Sequence, residues 1–227
     1  MEKIGKVFTN LEEKVYQIIK ERIVYHQLKP GERLIDRNIA EELGVSRSMV
    51  RHVFSILVKE ELINIIPRNG FYVRKIDKEE VEKIYNIRKI LEGYATRLAV
   101  PRISKRDIYE LEKIFDNARR DLEDSSVKSF IHTDTEFHKV IIENSGNEYL
   151  TNTINQYKNY YIFFRVIDLN KVDRAKSSYD EHYKMFKVIK QRDAVLASKL
   201  MEEHIENAKK IILQNYDSYT YGKINKK

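Results

Sequence analysis

The stretch that decides the fold reads RNIAEELGVSRSMVR and spans residues 37–51. A helix-turn-helix needs two short helices joined by a tight turn, with the second helix free to enter the major groove of DNA. Gly44 suits the turn because glycine tolerates a positive φ, and Ser46 is a favourable N-cap for the next helix. The stretch therefore predicts a short helix at about 37–43 and a longer one at about 46–60.

The second of these helices has two distinct faces. One face is apolar and is expected to join the core: Val50, Val53, Phe54 and Leu57. The other is polar: Ser48, Arg51, His52 and Ser55. Arginine can bond two acceptors of guanine or grip a phosphate, so Arg51, together with Arg47 in the first turn, is a candidate DNA contact. The alternative is that both are ordinary surface residues.

The flanking sequence completes a winged helix-turn-helix. Pro30-Gly31 ends a helix expected at about 11–26, and Pro67-Arg68-Asn69-Gly70 separates two β-prone stretches at 62–66 and 71–73. Two such stretches around a turn sequence predict a small hairpin. We therefore assign 1–75 to a DNA-binding domain and 76–78 to a linker.

Composition narrows the class of protein. The chain has 227 residues, which suits two domains, and it contains no cysteine, which excludes disulfides and thiolate metal sites. No apolar run reaches the roughly 18–20 residues of a membrane span, and the N-terminus lacks the apolar core of a secretion signal. We expect a cytoplasmic protein without a membrane partner.

The charge is unevenly distributed. The net charge is +7, and residues 1–76 carry 14 Lys and Arg against 10 Asp and Glu, which is +4. The surplus in the remainder comes from lysines of the tail. A basic first third favours an anionic partner, although a solvated basic surface would have the same composition.

Beyond the linker the pattern is helical throughout. Six helices are predicted, at about 78–99, 104–123, 127–144, 147–167, 174–191 and 193–215. Apolar residues recur at three- and four-residue spacing, as a buried helix face requires. The sequence thus predicts a mainly α protein, with an all-helical domain at 79–216 and a disordered tail at 217–227.

The inward stripes of this helical domain contain polar residues. Asp134 and His138 share one helix face, and His182 and His204 lie on the apolar stripes of two further helices. An unpaired buried charge costs several kcal/mol, and a shared metal ion would remove that cost. One carboxylate and three imidazoles suit Zn²⁺, Ni²⁺, Mn²⁺ or Fe²⁺, and the ligand types alone do not choose among them; Zn²⁺ is our first expectation. The competing interpretation is a set of hydrogen-bonded core histidines.

Both domains resemble a known family. The segments LKPGERL (28–34), IAEELGVSR (39–47) and VR (50–51), with the glycine-containing wing, resemble the GntR family of bacterial repressors. The resemblance implies DNA contacts from the recognition-helix arginines, from an arginine of the preceding helix and from the wing. Here the predicted DNA-binding residues are Arg33, Arg37, Ser46, Arg47, Ser48, Arg51, Arg68, Asn69 and Gly70. The family usually has proline where this chain has Met49, so the operator sequence cannot be transferred.

The second domain is similar to the effector domain of FadR-type GntR regulators. The resemblance is carried by Arg88-x-x-x-Glu92, Asp134-x-x-x-His138, Glu181-His182 and His204. It implies a metal bound by Asp134, His138, His182 and His204, and a small carboxylate effector. Arg88 matches a family arginine and could hold that carboxylate, or it could form an ion pair with Glu92. Six helices would indicate the smaller, VanR-like variety.

Three functions fit these observations. The first is a homodimeric regulator, a repressor in the simplest case, whose operator binding responds to a metal and an organic acid. The dimer is expected because one recognition helix contacts too few bases for useful specificity. The second is a DNA-binding protein whose helical domain only dimerises. The third is a metal-dependent hydrolase, which the absence of an H-E-x-x-H motif disfavours.

Overall fold

The computed structural model describes residues 4–169 and 171–220, with side chains described for 11–169 and 171–217. The chain divides into two compact units, Met1–Ile76 and Asp77–Lys227. The elements of the first unit are α1 (Ile4–Val24), β1 (Arg33–Leu34), α2 (Asp36–Leu43), α3 (Arg47–Lys59), β2 (Ile63–Ile66) and β3 (Gly70–Val73). Among the described residues, no helix combines the length and apolar character that crossing a membrane requires.

The first unit is built around α3. Its predicted apolar face is confirmed, since the four residues of that face are fully buried: Val50, Val53, Phe54 and Leu57. The ring of Phe54 lies 5.0 Å from that of Phe71 in β3, which places the helix against the sheet. The opposite face of α3 is thereby left to solvent.

The wing is a three-stranded antiparallel sheet in the order β1-β3-β2. The predicted hairpin is confirmed as β2 and β3, with Ile66 paired to Gly70. The strand β1 was not predicted, because two residues are too short to show an alternating pattern. It pairs Arg33 with Tyr72 and Leu34 with Phe71.

The second unit is entirely helical within its described residues. Its helices are α4 (Lys78–Ala99), α5 (Lys105–Glu123), α6 (Val127–Glu143), α7 (Glu148–Gln156), α8 (Lys158–Asp168), α9 (Val172–Lys190) and α10 (Ala194–Thr220). Side-chain caps fix several of their starts. Asp77 accepts from the backbone N–H of Glu80, and Ser104 with Asp107 forms a capping box.

These bounds correct the sequence prediction in two places. The helix expected at 147–167 is interrupted at Tyr157, which ends α7 and begins α8. The described part of the unit therefore has seven helices rather than six, and the helix count does not support the VanR-like variety. The apolar stripe continues across the interruption, so its spacing did not reveal it.

The second correction concerns the start of the tail. Helix α10 continues through Asp217, where the tail was expected to begin. Tyr216 is buried, and the Asp217 carboxylate accepts a 2.7 Å hydrogen bond from Lys78 Nζ. The helix ends at Thr220, and the rest of the predicted tail, 221–227, lies outside the described residues.

Candidate functional site

The turn before α3 has the geometry expected of a helix-turn-helix. Gly44 has φ 65°, in the left-handed region that glycine favours. Ser46 is extended, and its hydroxyl accepts a 3.2 Å hydrogen bond from the backbone N–H of Met49. The predicted N-cap is thus confirmed, and it sets where the first turn of α3 begins.

The predicted DNA-facing arginines lie exposed on one side of this motif. The side chains of Arg47 and Arg51 are 61 % and 63 % exposed, and both approach the carboxylate of Asp36, at 3.3 Å and 3.9 Å. Arg37 is also exposed and donates to Glu41 at 2.8 Å. Ser48 is exposed near Ser46, with their hydroxyl oxygens 3.0 Å apart. The structure therefore brings Arg47, Arg51 and Asp36 together on the solvent face.

The predicted DNA-binding residues of the wing lie in three different parts of the sheet: the turn, β3 and β1. Arg68 and Asn69 lie in the turn, where Arg68 has φ 65° and Asn69 donates its backbone N–H to the Ile66 carbonyl. Gly70 is the first residue of β3 rather than the tip of the turn. Arg33 is exposed in β1, on the far strand of the sheet.

In the second unit, three buried histidines from three helices meet. His138 comes from α6, His182 from α9 and His204 from α10, and one nitrogen of each lies within 4.8 Å of the others. The Nε2 atoms of His182 and His204 are 3.1 Å apart. The structure thus brings together the histidines that the apolar stripes of separate helices pointed to.

Each of these histidines turns its Nδ1 toward a carboxylate. His138 Nδ1 lies 2.5 Å from Glu92 Oε2, and His204 Nδ1 lies 2.6 Å from Glu181 Oε2. His182 Nδ1 lies 3.3 Å from Asp134 Oδ1. A nitrogen that donates to a carboxylate carries the proton, so the Nε2 atoms of His138 and His204 are left as acceptors. Metal-ligating histidines are oriented by carboxylates in the same way.

Asp134 is adjacent to the histidines but already has partners. Its Oδ2 accepts from Arg165 Nε at 2.6 Å and lies 4.0 Å from His138 Nε2. Its Oδ1 accepts a hydrogen bond from Ser178 at 3.1 Å. The fourth residue of the predicted ligand set is therefore beside the site, with one oxygen held by an arginine.

Arg88 forms the buried ion pair that the sequence offered as an alternative. Its Nε donates to Glu92 Oε1 at 2.6 Å, with both side chains almost fully buried. Its Nη1 donates to the Tyr85 hydroxyl, and its guanidinium lies 4.7 Å from the ring centre of Tyr161. Because Glu92 also contacts His138, Arg88 belongs to the same network as the histidines.

Burial favours the neutral imidazoles of His138 and His182, and nearby charges favour the ionised carboxylates of Glu92 and Asp134. Burial lowers the pKa of His138 to about 4 and that of His182 well below its usual value. Burial alone would raise the pKa of Glu92, but Arg88 and His138 hold it well below its ordinary range. Burial is likewise the largest influence opposing ionisation of Asp134, but Arg165 and other neighbouring groups together lower its pKa. Neutral imidazole and ionised carboxylate are the forms that bind metals.

The residues present fit a divalent metal ion. His138 Nε2 is buried and has no hydrogen-bond partner within the described part of the chain, which is costly for a polar atom. The Nε2 atoms of His182 and His204 lie 3.1 Å apart and share one hydrogen bond. A cation bound by all three nitrogens would satisfy each of them, and nitrogen donors with a nearby carboxylate suit Zn²⁺, Ni²⁺, Mn²⁺ or Fe²⁺.

Comparison with known protein families gives a match in each of the two units. A family model for bacterial regulatory proteins of the gntR family matches residues 11–73, and an FCD domain model matches residues 83–207. The chain belongs to the GntR family and carries an FCD domain. It is thus a DNA-binding transcriptional regulator, not an enzyme.

Individual relatives of this GntR-family regulator are also transcriptional regulators. It is 26 % identical over 193 residues to an uncharacterized HTH-type transcriptional regulator, YdhC, of Bacillus subtilis (strain 168), covering 85 % of this chain and 86 % of YdhC. It is 25 % identical over 202 residues to the HTH-type transcriptional repressor RspR of Escherichia coli (strain K12), covering 89 % of each chain. Its fold matches the solved structure of E. coli McbR/YncC with a TM-score of 0.78 at 24 % identity, covering 91 % of this chain and 98 % of the other.

Sequence reasoning missed part of the FCD-domain cluster. Arg165 and Asp168 on α8 are buried, as is most of the Arg174 side chain on α9. Arg174 forms a two-bond ion pair with Asp168. The only signal for Arg165 and Asp168 was two charged residues within an apolar helix, one turn apart. His132, which is outside the predicted ligand set, is exposed on α6.

Proposed function

We propose that this GntR-family regulator is a cytoplasmic homodimeric repressor whose operator binding is controlled by a divalent metal and a small carboxylate. The observation that carries the proposal is the set of three buried histidines whose nitrogens meet, each with a carboxylate near its Nδ1. The repressor role is supported by the relative RspR, which is named as a repressor. The metal would supply a fixed positive charge for binding a carboxylate.

The metal part of the proposal is tested on the intact protein. Protein purified without chelator and dialysed extensively is expected to retain one divalent ion per chain. His138→Ala should lose that ion, because it removes a donor that lies in the cluster. His132→Ala is the matched control, since it removes an exposed histidine from the same helix. Retention of metal by His138→Ala would exclude His138 as a ligand, and no metal in the wild type would favour a domain that only dimerises.

The DNA part rests on the exposed arginines of α3. We propose that Arg47 and Arg51 contact bases or phosphates in the major groove, with Arg37, Ser46 and Ser48 beside them. Arg33, Arg68, Asn69 and Gly70 would contact DNA from the wing. The supporting observation is that Arg47 and Arg51 lie on the solvent face of the helix-turn-helix, opposite its buried face.

A selection from randomised double-stranded DNA tests this assignment without a known operator. Arg51→Ala should weaken binding to the selected sequence by about 1–3 kcal/mol and relax the preference at one position, as for loss of a base contact. Arg106→Ala is the control, because Arg106 is exposed in the helical unit and, like Arg51, lies near a carboxylate. Undiminished, equally selective binding by Arg51→Ala would exclude its role.

The homodimer is supported by an unpartnered stripe on α4. Ile87, Ile90 and Tyr94 follow helical spacing and are all exposed, whereas isolated exposed apolar residues are ordinary. Acidic residues precede the stripe, at Glu79 and Glu80. Basic residues follow it, at Arg97 and Arg102. A second copy of α4, packed antiparallel about a two-fold axis, would place each acidic end against the partner's basic end.

This surface predicts the oligomeric state of variants. Ile90→Glu should convert the dimer to a monomer in sedimentation velocity, because it puts a charge in the centre of the stripe. Val195→Glu is the matched control, since Val195 is 65 % exposed and Ile90 is 66 % exposed. A dimer that withstands Ile90→Glu as well as it withstands Val195→Glu would exclude α4 as the interface.

The carboxylate effector is expected to bind within the same buried network. Arg88 is a candidate contact because its guanidinium lies in the network and over the rings of Tyr85 and Tyr161. Its ion pair with Glu92 means that one edge of the guanidinium is already used. An effector carboxylate would therefore need a different edge of Arg88 or a further cation.

A further inference from the structure

Asp36 lies between the two arginines of the recognition helix. It is the first residue of α2, and its carboxylate oxygens lie 3.3 Å and 3.5 Å from Arg47 Nη2. One of them also lies 3.9 Å from Arg51 Nε. The Asp36 side chain is 17 % exposed, against 61 % and 63 % for the two arginines. The aspartate is therefore the anchored member of the three, and the arginines extend into solvent.

The helix-turn-helix places this carboxylate on the side predicted to face DNA. Arg47 is the first residue of α3, and Arg51 follows about one helical turn later. Both lie on the side of α3 that the start of α2 approaches. An aspartate in the first turn of a helix is favoured by the helix dipole, but the dipole does not direct the carboxylate at two exposed guanidiniums. Its position next to them therefore has its own consequence for DNA binding.

The carboxylate lowers the charge that the two arginines offer to DNA. The guanidiniums carry two positive charges, and Asp36 reduces the sum for the three side chains to one. Each phosphate of DNA is negatively charged, whereas the O6 and N7 acceptors of guanine are neutral. Asp36 therefore repels a phosphate that approaches the arginines and has a much smaller effect on a guanine edge.

The arginines can bond a base without leaving Asp36. Arg51 faces the carboxylate with Nε, and Arg47 faces it with Nη2. A guanidinium has N–H donors on more than one edge, so each arginine keeps donors for a base. An exposed ion pair contributes little to folding stability. The contact thus matters for which DNA atoms the arginines prefer rather than for the fold.

We propose that Asp36 is a specificity-determining residue, which directs Arg47 and Arg51 toward base edges by weakening their attraction to phosphates. The inference rests on the proposed role of these arginines in DNA binding and adds a residue that acts through them. Non-specific sites in a genome far outnumber an operator, so the ratio of the two affinities decides where a regulator binds. Asp36 lowers the total affinity for DNA and raises that ratio.

Binding of the full-length protein to two duplexes over a range of salt concentrations, followed by fluorescence anisotropy, tests the inference. One duplex carries the sequence obtained by selection, and the other a scrambled sequence of the same composition. Asp36→Asn should bind the scrambled duplex about threefold more tightly, because a released arginine is free to neutralise one more phosphate. Its plot of log K against log salt should be steeper by about 0.9. The ratio of selected to scrambled affinity should fall about threefold.

Glu42→Gln is the matched control. It lies on the same helix and changes the net charge by the same amount, but its partner is Arg22 of α1. It should leave the affinity ratio and the salt slope unchanged. Equal effects of Asp36→Asn and Glu42→Gln overturn the inference, because net charge alone would then explain both.

Two further substitutions separate the charge of Asp36 from a structural role. Asp36→Glu keeps the carboxylate and should retain the wild-type ratio and slope. Asp36→Ser removes the charge with another residue favoured at helix starts, which covers the case in which Asp36→Asn does not fold. Asp36→Glu that behaves like Asp36→Asn overturns the inference. Weaker binding of both duplexes by Asp36→Ser, with the ratio and slope unchanged, also overturns it and indicates a structural role.

A chain that carries both Arg47→Ala and Arg51→Ala shows whether Asp36 acts through the arginines. In that chain Asp36→Asn should change the salt slope no more than Glu42→Gln does. A larger change overturns the inference, because the carboxylate would then act on DNA without the arginines. Undiminished binding of the selected duplex by the double arginine variant overturns the proposed DNA contacts, and the inference with them.

Discussion

The ion pair between Arg88 and Glu92 allows a stability prediction with an internal comparison. Glu92→Gln keeps the shape of the side chain and removes its charge, which leaves Arg88 buried without a counter-ion. Breaking a buried pair in this way costs about 3–5 kcal/mol. At about 2–4 °C per kcal/mol for a chain of this size, the Tm should fall by about 6–20 °C.

The pH of the measurement is set by the direction of the pKa shift. The pKa of Glu92 is lower in the folded protein than its ordinary value of 4.5. Its stabilising effect is therefore fully present above that pH and is lost as the pH falls below it. At pH 7 the whole effect is measured, because the carboxylate is ionised in both the folded and the unfolded chain.

Thermal unfolding followed by circular dichroism, on metal-free protein at pH 7, measures the effect. The control is Glu110→Gln on α5. Glu110 also pairs with a basic residue four positions away, Arg106, but their side chains are 45 % and 86 % exposed. We expect no measurable change in Tm for the control, since exposed pairs contribute little. Equal changes in the two variants would refute the reasoning that burial makes the Arg88 pair important.

Three further predictions concern the framework of the two units. Ser46→Ala removes the cap of α3 and should cost about 1 kcal/mol in thermal unfolding; an unchanged Tm would contradict the cap. Gly44→Ala places a side chain at φ 65° where nothing lies within 4 Å, so only backbone strain of about 1 kcal/mol applies, and a larger loss of Tm would mean a clash. Phe137→Ala removes a fully buried ring stacked 4.3 Å from that of His182. It should cost about 3–5 kcal/mol in urea unfolding, and a loss below about 1 kcal/mol would show that the ring is not a core element.

Sequence patterns among neighbouring residues were sufficient to predict most of the fold of the first unit. The N-cap at Ser46, the turn at Gly44 and the buried face of α3 depend on neighbouring residues and on helical spacing. The strand β1 was beyond such reasoning, because Arg33 and Leu34 become a strand only by pairing with β3. That pairing joins residues far apart in the chain, and the sequence of two residues does not predict it.

Only those parts of the candidate metal site that lie within a single helix could be predicted from the sequence. Asp134 and His138 are four residues apart, so their common face could be derived from helix geometry. That Arg165 holds the Asp134 carboxylate depends on how α8 lies against α6, which no spacing within either helix reveals. The contacts of Glu92 with His138 and of Glu181 with His204 were unpredictable for the same reason, because each joins two different helices.

The position of Glu92 within α4 has a mechanical consequence. Helix α4 begins at Lys78, directly after the boundary between the two units, and Glu92 contacts His138 fourteen residues further along. At 1.5 Å per residue this distance is about 21 Å. A tilt of α4 by about 5° about Glu92 would therefore move the start of the helix by about 2 Å. A small rearrangement among the buried charges would thus be enlarged at Lys78, the first residue of the helix.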